Sequence, residues 1–161
     1  MFTRLREAFG DFRISDVVYG NTLEEGREEL YWRLVRPFAA SDVGPLHADK
    51  WFHESFGSSD YGMFPPGTTT IKIWTAIHCE PGKSGLIVVP DSHLRTWRYR
   101  STDKGGVMKP ELDEDLGTIP RLLVPTEPGT LLIFNEGTLH GGAVNLGDTS
   151  RVSMEITMVF R

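Results

Sequence analysis

The sequence predicts a mainly β domain, an all-β sandwich or jelly roll, with a short amino-terminal helix. Three observations predict it. Seven or eight short runs rich in β-branched and aromatic residues recur along the chain, each bounded by turn residues. Glycine (17) and proline (10) are frequent, which favours many short elements over a few long helices. At 161 residues the chain can bury one core with both faces of a sheet covered, so residues 1–161 are read as a single domain.

Phe2, Leu5 and Phe9 recur at helical spacing, which predicts an amphipathic helix over residues 2–9 closed by Gly10. "LEEGREEL" (23–30) has the charges of a helix face but is interrupted by Gly26, and its type stays open. "LYWRLVRPF" (30–38) reads as a strand stopped at Pro37. "PLHADKWF" (45–52) is read as a strand through His47 and Asp49. "TTTIKIWTAIHC" (68–79) is a strong strand, joined through the turn "EPGKS" to "GLIVVP" (85–90). Residues 101–118, "STDKGGVMKPELDEDLGT", are polar and rich in Gly and Asp, and predict a long loop or lid insertion. "RLLVP", "GTLLIF" and "SRVSMEITMVF" complete the strands, and no internal repeat is visible.

Seventeen basic against 22 acidic side chains give a net charge of −5 with no basic run, which argues against nucleic acid and anionic membrane surfaces as partners. The single cysteine, Cys79, excludes an internal disulfide framework and fits a reducing compartment. "MFTRLREAFG" has no apolar core of the kind a secretion signal needs, and no run approaches the ~20 apolar residues of a membrane span. A cytoplasmic location is the expectation.

The chemistry starts at His47 and Asp49. In a strand, residues two apart project to one face, so an imidazole and a carboxylate can grip one ion together. Nitrogen plus carboxylate oxygen suits a borderline divalent metal such as Fe(II). A third ligand has to come from another strand, and His140, ninety-one residues after Asp49, is the candidate. If "NLGD" (145–148) is a hairpin turn, His140 lies opposite Ser153 and residue 142 opposite Arg151, all on one face. Arg151 then sits one diagonal step from the metal ligand, roughly 7 Å away. Its planar fork suits the far carboxylate of a dicarboxylate that chelates the metal by a keto-acid end, and Ser153 can add a hydroxyl. That describes 2-oxoglutarate. A register slip of one residue would put Arg151 and Ser153 on the wrong side. Val152, Met154, Ile156, Met158 and Phe160 fall on the opposite face, which the amino-terminal segment or a second subunit, as in a homodimer, has to cover.

His47-Ala48-Asp49, the distal His140 and Arg151 eleven residues later resemble the Fe(II)/2-oxoglutarate-dependent dioxygenases. "WTAIHCEPGKSGLIVVPDSHL" (74–94), ending in a V-P-x-S-H element, resembles the phytanoyl-CoA dioxygenase-like branch in particular. The resemblance runs from about Trp32 to the carboxyl end. It implies a double-stranded β-helix, a jelly roll, with His47, Asp49 and His140 as iron ligands, Arg151 as carboxylate anchor and Ser153 as its helper. It also implies that dioxygen and 2-oxoglutarate are consumed, that succinate and CO₂ are released, and that a small soluble molecule is hydroxylated. Related halogenases lack the acidic ligand, which Asp49 supplies here, so hydroxylation is expected over halogenation.

Lys72 and Trp74 share a strand face with Ala76 and His78. If that face lines the cavity, Lys72 can assist the cosubstrate carboxylate and Trp74 can wall the substrate pocket; otherwise Trp74 is core and Lys72 lies near a strand end. Trp51 or Phe52 is expected to face substrate, although core packing explains both equally well. His93 is read as structural, His53 and His78 as satisfied histidines, and Cys79 as a small buried apolar residue. Asn135 and Glu136 can orient His140. Arg95, Arg98 and Arg100 form a basic cluster that is either solvated surface or a meeting point for an anionic substrate. Two rival functions remain: a non-oxidative, cupin-like metal enzyme, which has no need of Arg151, and a degenerate binding module without turnover.

Overall fold

Helix α1 (Phe2–Phe9) leads into β1 (Arg13–Ile14) and β2 (Tyr31–Val35), and the short helix α2 (Lys50–Ser55) precedes β3 (Thr69–His78) and β4 (Leu86–Val88). Strands β5 (Tyr99–Asp103) and β6 (Met108–Leu112) follow, then β7 (Leu122–Leu123), β8 (Leu131–Asn135), β9 (His140–Gly142) and β10 (Arg151–Phe160). This computed structural model describes residues 2–15, 28, 30–55, 68–103 and 108–160. Most of "LEEGREEL" and the side chain of His53 lie outside the described residues.

The architecture is a jelly roll of two facing sheets. The larger has the order β1-β10-β3-β8, with β2 also paired to β10; the smaller has the order β7-β4-β9. All of these pairings are antiparallel. Trp74, Ala76, Cys79 and Leu86, with Val88, Leu132 and Phe134 packed on them, form the core between the sheets. The opposite face of the large sheet carries Ile73, Ile156 and Met158, and they are buried under Leu5 and Phe12. The amino-terminal segment therefore covers this part of the apolar face of β10. It does so because α1 presents Leu5 inward and ends at Gly10, whose φ of +85° favours glycine. Each side chain buried there stabilises the fold by about 1.5–3 kcal/mol.

Three expectations are corrected. The expected loop at 101–118 is, in its first part, a hairpin: β5 and β6 pair from Tyr99↔Leu112 to Asp103↔Met108. The polar composition of these strands hid the ladder, because most of their side chains stay exposed or only partly covered. The segment carrying His47 is not a strand. It is a single antiparallel bridge to His140, after which the chain turns into α2. Finally, β9 and β10 do not form a hairpin, since β9 pairs with β4 and β10 with β2 and β3. The connection between them has its polar groups engaged elsewhere. Asn145 Nδ2 donates to Val35 O (3.1 Å) and Thr149 O (2.7 Å), and Glu80 Oε1 accepts from the amides of Asp148 (2.8 Å) and Thr149 (3.1 Å). With those groups satisfied, the chain crosses from one sheet to the other instead of folding back.

Candidate metal centre

His47 and His140 meet across their bridge, with ring centroids 4.6 Å apart. His47 Nδ1 donates to Pro45 O and His140 Nδ1 to Thr138 O, both at 2.9 Å. A carbonyl can only accept, so each Nδ1 carries a proton, and in the neutral ring the lone pair lies on Nε2. Both Nε2 atoms face Asp49, at 3.7 Å from Oδ1 for His47 and 3.5 Å from Oδ2 for His140. The three residues offer ligand atoms that all lie within 4.8 Å of one another. Buried Asp49 Oδ2 has no well-aligned hydrogen bond, and the Lys72 ammonium stands 3.4 Å from it. Two imidazole nitrogens and a carboxylate converging in this way are a donor set that suits a divalent ion.

Electrostatics keep His47 and Asp49 in ligand form. Burial pushes the His47 imidazole below its ordinary pKa and neighbouring His140 adds to this, while Asp49 and the Pro45 carbonyl oppose it. Burial alone would raise the Asp49 carboxyl; Lys72, His140 and His47 outweigh it and hold the group well below the usual carboxylate range. Neutral imidazole and ionised carboxylate are the states that bind metal.

The side chains around the triad come from both sheets. Phe52 meets the His47 ring edge-on at 5.6 Å, and Phe134 lies 4.8 Å from the His140 ring. Ser92, in the V-P-x-S-H element, accepts from Leu139 N (2.8 Å), donates to Val89 O (2.6 Å), and takes Trp97 Nε1 on its carbonyl (2.8 Å). It thereby fixes the residue preceding His140. Asn135 closes the turn before His140, accepting from Gly137 N (2.8 Å) through Oδ1.

Arg151 reaches the interior by a route other than the expected hairpin. It leaves β10 in the large sheet and crosses to the small one, where Nη1 donates to Gly85 O. A Cβ on Gly142 would come within 3.2 Å of its Nη2. Thus residues 142 and 151 are neighbours, as the sequence suggested, but across two sheets. Arg151 is 3% exposed and has no ion-pair partner among the described residues, and burial lowers its pKa against the opposing influence of Cys79 and Glu155. Ser153 is fully buried, with an Oγ that finds no partner. Arg151 and Ser153 thus place a buried guanidinium and a buried hydroxyl two residues apart on one strand face.

Trp74 is buried on the same inner face, its ring 5.9 Å from the Arg151 guanidinium. Lys72, expected at the cosubstrate carboxylate, instead places Nζ 3.4 Å from Asp49 Oδ2. Trp51 is a core residue: 1% exposed, stacked on Tyr99 at 4.6 Å, and packed with Ala48, Val89 and Leu139. Helix α2 begins at Lys50, so the side chain two after Asp49 turns away from the ligand face where a strand would have kept it. Arg95, Arg98 and Arg100 are matched by Glu114, Glu111 and Asp113, and so are paired surface.

Sequence reasoning missed Glu155. It opposes Trp74 on β3, so it shares the inner face with Arg151 and Ser153, and its side chain lies 3.6 Å from Arg33 Nε. Its signal was the period-two pattern of β10, in which residues 151, 153 and 155 alternate with the apolar set.

A family model described as phytanoyl-CoA dioxygenase (PhyH) matches residues 15–153. No curated protein matches the chain. Among solved structures, the chain is similar to "non-heme monooxygenase; ThoJ apo", at 14% identity and TM-score 0.63, covering 98% of this chain and 52% of that one. It is also similar to EvdO2 from Micromonospora carbonacea var. aurantiaca complexed with 2-oxoglutarate, at 19% identity and TM-score 0.60, covering 84% and 54%. A third neighbour is the non-heme alpha ketoglutarate dependent carbocyclase SnoK from nogalamycin biosynthesis, at 18% identity and TM-score 0.50, covering 81% and 47%. At these identities the likeness is one of fold, and the chain spans about half the length of each of these neighbours.

Proposed function

Because the chain belongs to the phytanoyl-CoA dioxygenase family, we propose that it is an Fe(II)- and 2-oxoglutarate-dependent dioxygenase that hydroxylates a small molecule. One oxygen atom of O₂ would enter the substrate and the other succinate, with loss of CO₂. The observation that carries this reading is the pairing of two incomplete receptors in one interior. One is the His47, Asp49 and His140 set, with both Nε2 lone pairs directed at one carboxylate. The other is the buried, unpaired guanidinium of Arg151 with the orphaned Ser153 hydroxyl. A keto-diacid has a chemical match for each, a keto acid for the metal and a distal carboxylate for the guanidinium.

When bound, iron supplies the redox chemistry that couples reduction of dioxygen to decarboxylation of the keto acid. The protein's own residues do the rest. Pro45 and Thr138 carbonyls fix the imidazole tautomers, Arg151 and Ser153 take the distal carboxylate, and Trp74 walls the interior. EvdO2, the neighbour whose structure was determined with 2-oxoglutarate, supports the cosubstrate assignment.

The test is anaerobic titration of Fe(II)-loaded protein with 2-oxoglutarate. A visible charge-transfer band, followed by succinate release when oxygen is admitted, is the expected result. Absence of both from folded, metal-loaded protein overturns the proposal. The neighbour named a carbocyclase makes the oxidative outcome a separate question, which ¹⁸O₂ answers: hydroxylation leaves label in the product, and cyclisation leaves none.

A further inference from the structure

Lys72 has a place that neither iron ligation nor 2-oxoglutarate binding requires. Its side chain is 12% exposed, and its ammonium stands 3.4 Å from Oδ2, the Asp49 oxygen that also faces His140. A divalent cation on that carboxylate brings like charge against the ammonium, which then needs another anion. The register of the large sheet provides one. Lys72 opposes Thr157 and Trp74 opposes Glu155, so Glu155 is the diagonal neighbour of Lys72 on the inner face, roughly 7 Å away at the backbone. A four-carbon stem spans that distance. Glu155 is also free enough to accept it. Its present partner, Arg33, is 3.6 Å away with a side chain 52% exposed, whereas Glu155 itself is 16% exposed. An exposed, long ion pair of this kind is weakly held.

We propose that Lys72 is a positioning residue that holds Asp49 in the metal-free centre and passes to Glu155 when a divalent cation takes the carboxylate. The inner face thereby sets metal affinity through a pair that touches no ligand atom in the loaded site: Lys72 competes with the cation, and Glu155 relieves the competition. The inference rests on the metal-centre reading above and goes beyond it.

The experiment is a double-mutant cycle on the full chain, with Co(II) as probe and its visible d–d absorption as readout, anaerobically and without 2-oxoglutarate. Lys72→Met should tighten Co(II) binding by about tenfold or more, because it removes a cation beside the site. Lys72→Arg, which keeps the charge, should bind like the wild type. Glu155→Gln should weaken Co(II) about tenfold in the wild-type background and have little effect beside Lys72→Met, since its role runs through the lysine. Lys72→Gln replaces Lys72→Met if the latter fails to fold. Weaker or unchanged binding in the charge-free variants overturns the proposal, as does an equal Glu155→Gln effect in both backgrounds. Loss of Co(II) binding by the wild type would instead overturn the metal centre itself, so the two failures are distinct.

Discussion

His47 and His140 are joined backbone to backbone: His47 N donates to His140 O at 3.0 Å, and His140 N donates to His47 O at 2.9 Å. The spacing of the two imidazoles is thus set by sheet pairing, not by side-chain choice alone. Truncating either ring leaves the bridge intact. His140→Ala should keep the fold, read by far-ultraviolet circular dichroism, yet lower Co(II) affinity by more than about 100-fold, since loss of an outer-shell partner alone costs 10–100-fold. Unchanged affinity would remove His140 from the ligand set.

Arg151 should act on the cosubstrate and not on the metal. Its guanidinium bonds Gly85 O and otherwise faces the interior with no acid paired to it among the described residues. Arg151→Met should therefore lower 2-oxoglutarate affinity by about 30- to 5,000-fold, the range for removing one partner of a buried charge pair. Arg151→Lys keeps the charge but not the fork and should recover only part of it. Co(II) affinity should stay near that of the wild type. Equal loss of both ligands would mean the substitution damages the site as a whole.

Most of the strands and the His47–Asp49 pair were legible in the sequence because each rests on local periodicity or spacing. Residues 151, 153 and 155 alternate with an apolar set, and His47 and Asp49 lie two apart. What could not be read was which sheet each strand joins. "NLGD" has hairpin composition, but its groups bond to residues distant in sequence, Asn145 Nδ2 to Val35 O and the Asp148 amide to Glu80, and the chain changes sheet. The convergence of Arg151 on residue 142 was anticipated through a ladder that does not exist. Helix α2 was hidden for a different reason: His47 and Asp49 precede the helix, which begins at Lys50, and their spacing carries no information about the residues that follow.

That difference is testable at Trp51. As a pocket wall it would be dispensable for folding; as a core residue stacked on Tyr99 and packed with Trp97 and Leu139, it is not. Trp51→Ala should destabilise the protein by about 3–5 kcal/mol, measured by urea unfolding of the metal-free chain. A loss under 1 kcal/mol, with altered substrate range, would return Trp51 to the pocket.

Glu80 contributes to the acid sensitivity of the fold. Its Oε1 accepts from Asp148 N, Thr149 N and Thr149 Oγ1, and its Oε2 from Lys83 Nζ at 3.1 Å. The Thr149 amide first, then Lys83, lower its pKa from 4.5 to about 2. Between those values the unfolded chain binds the proton that the folded chain refuses, so folding is favoured more as pH rises. The contribution is complete above pH 4.5 and is lost as pH falls toward 2. Glu80→Gln lacks it throughout. The gap in urea midpoint between wild type and Glu80→Gln should be widest at neutral pH and close as pH approaches 2. Because the carboxylate holds the connection that delivers Arg151 to the interior, 2-oxoglutarate affinity at neutral pH should fall in the same variant. A midpoint gap that persists unchanged into acid would mean that the charge of Glu80 does not hold this turn.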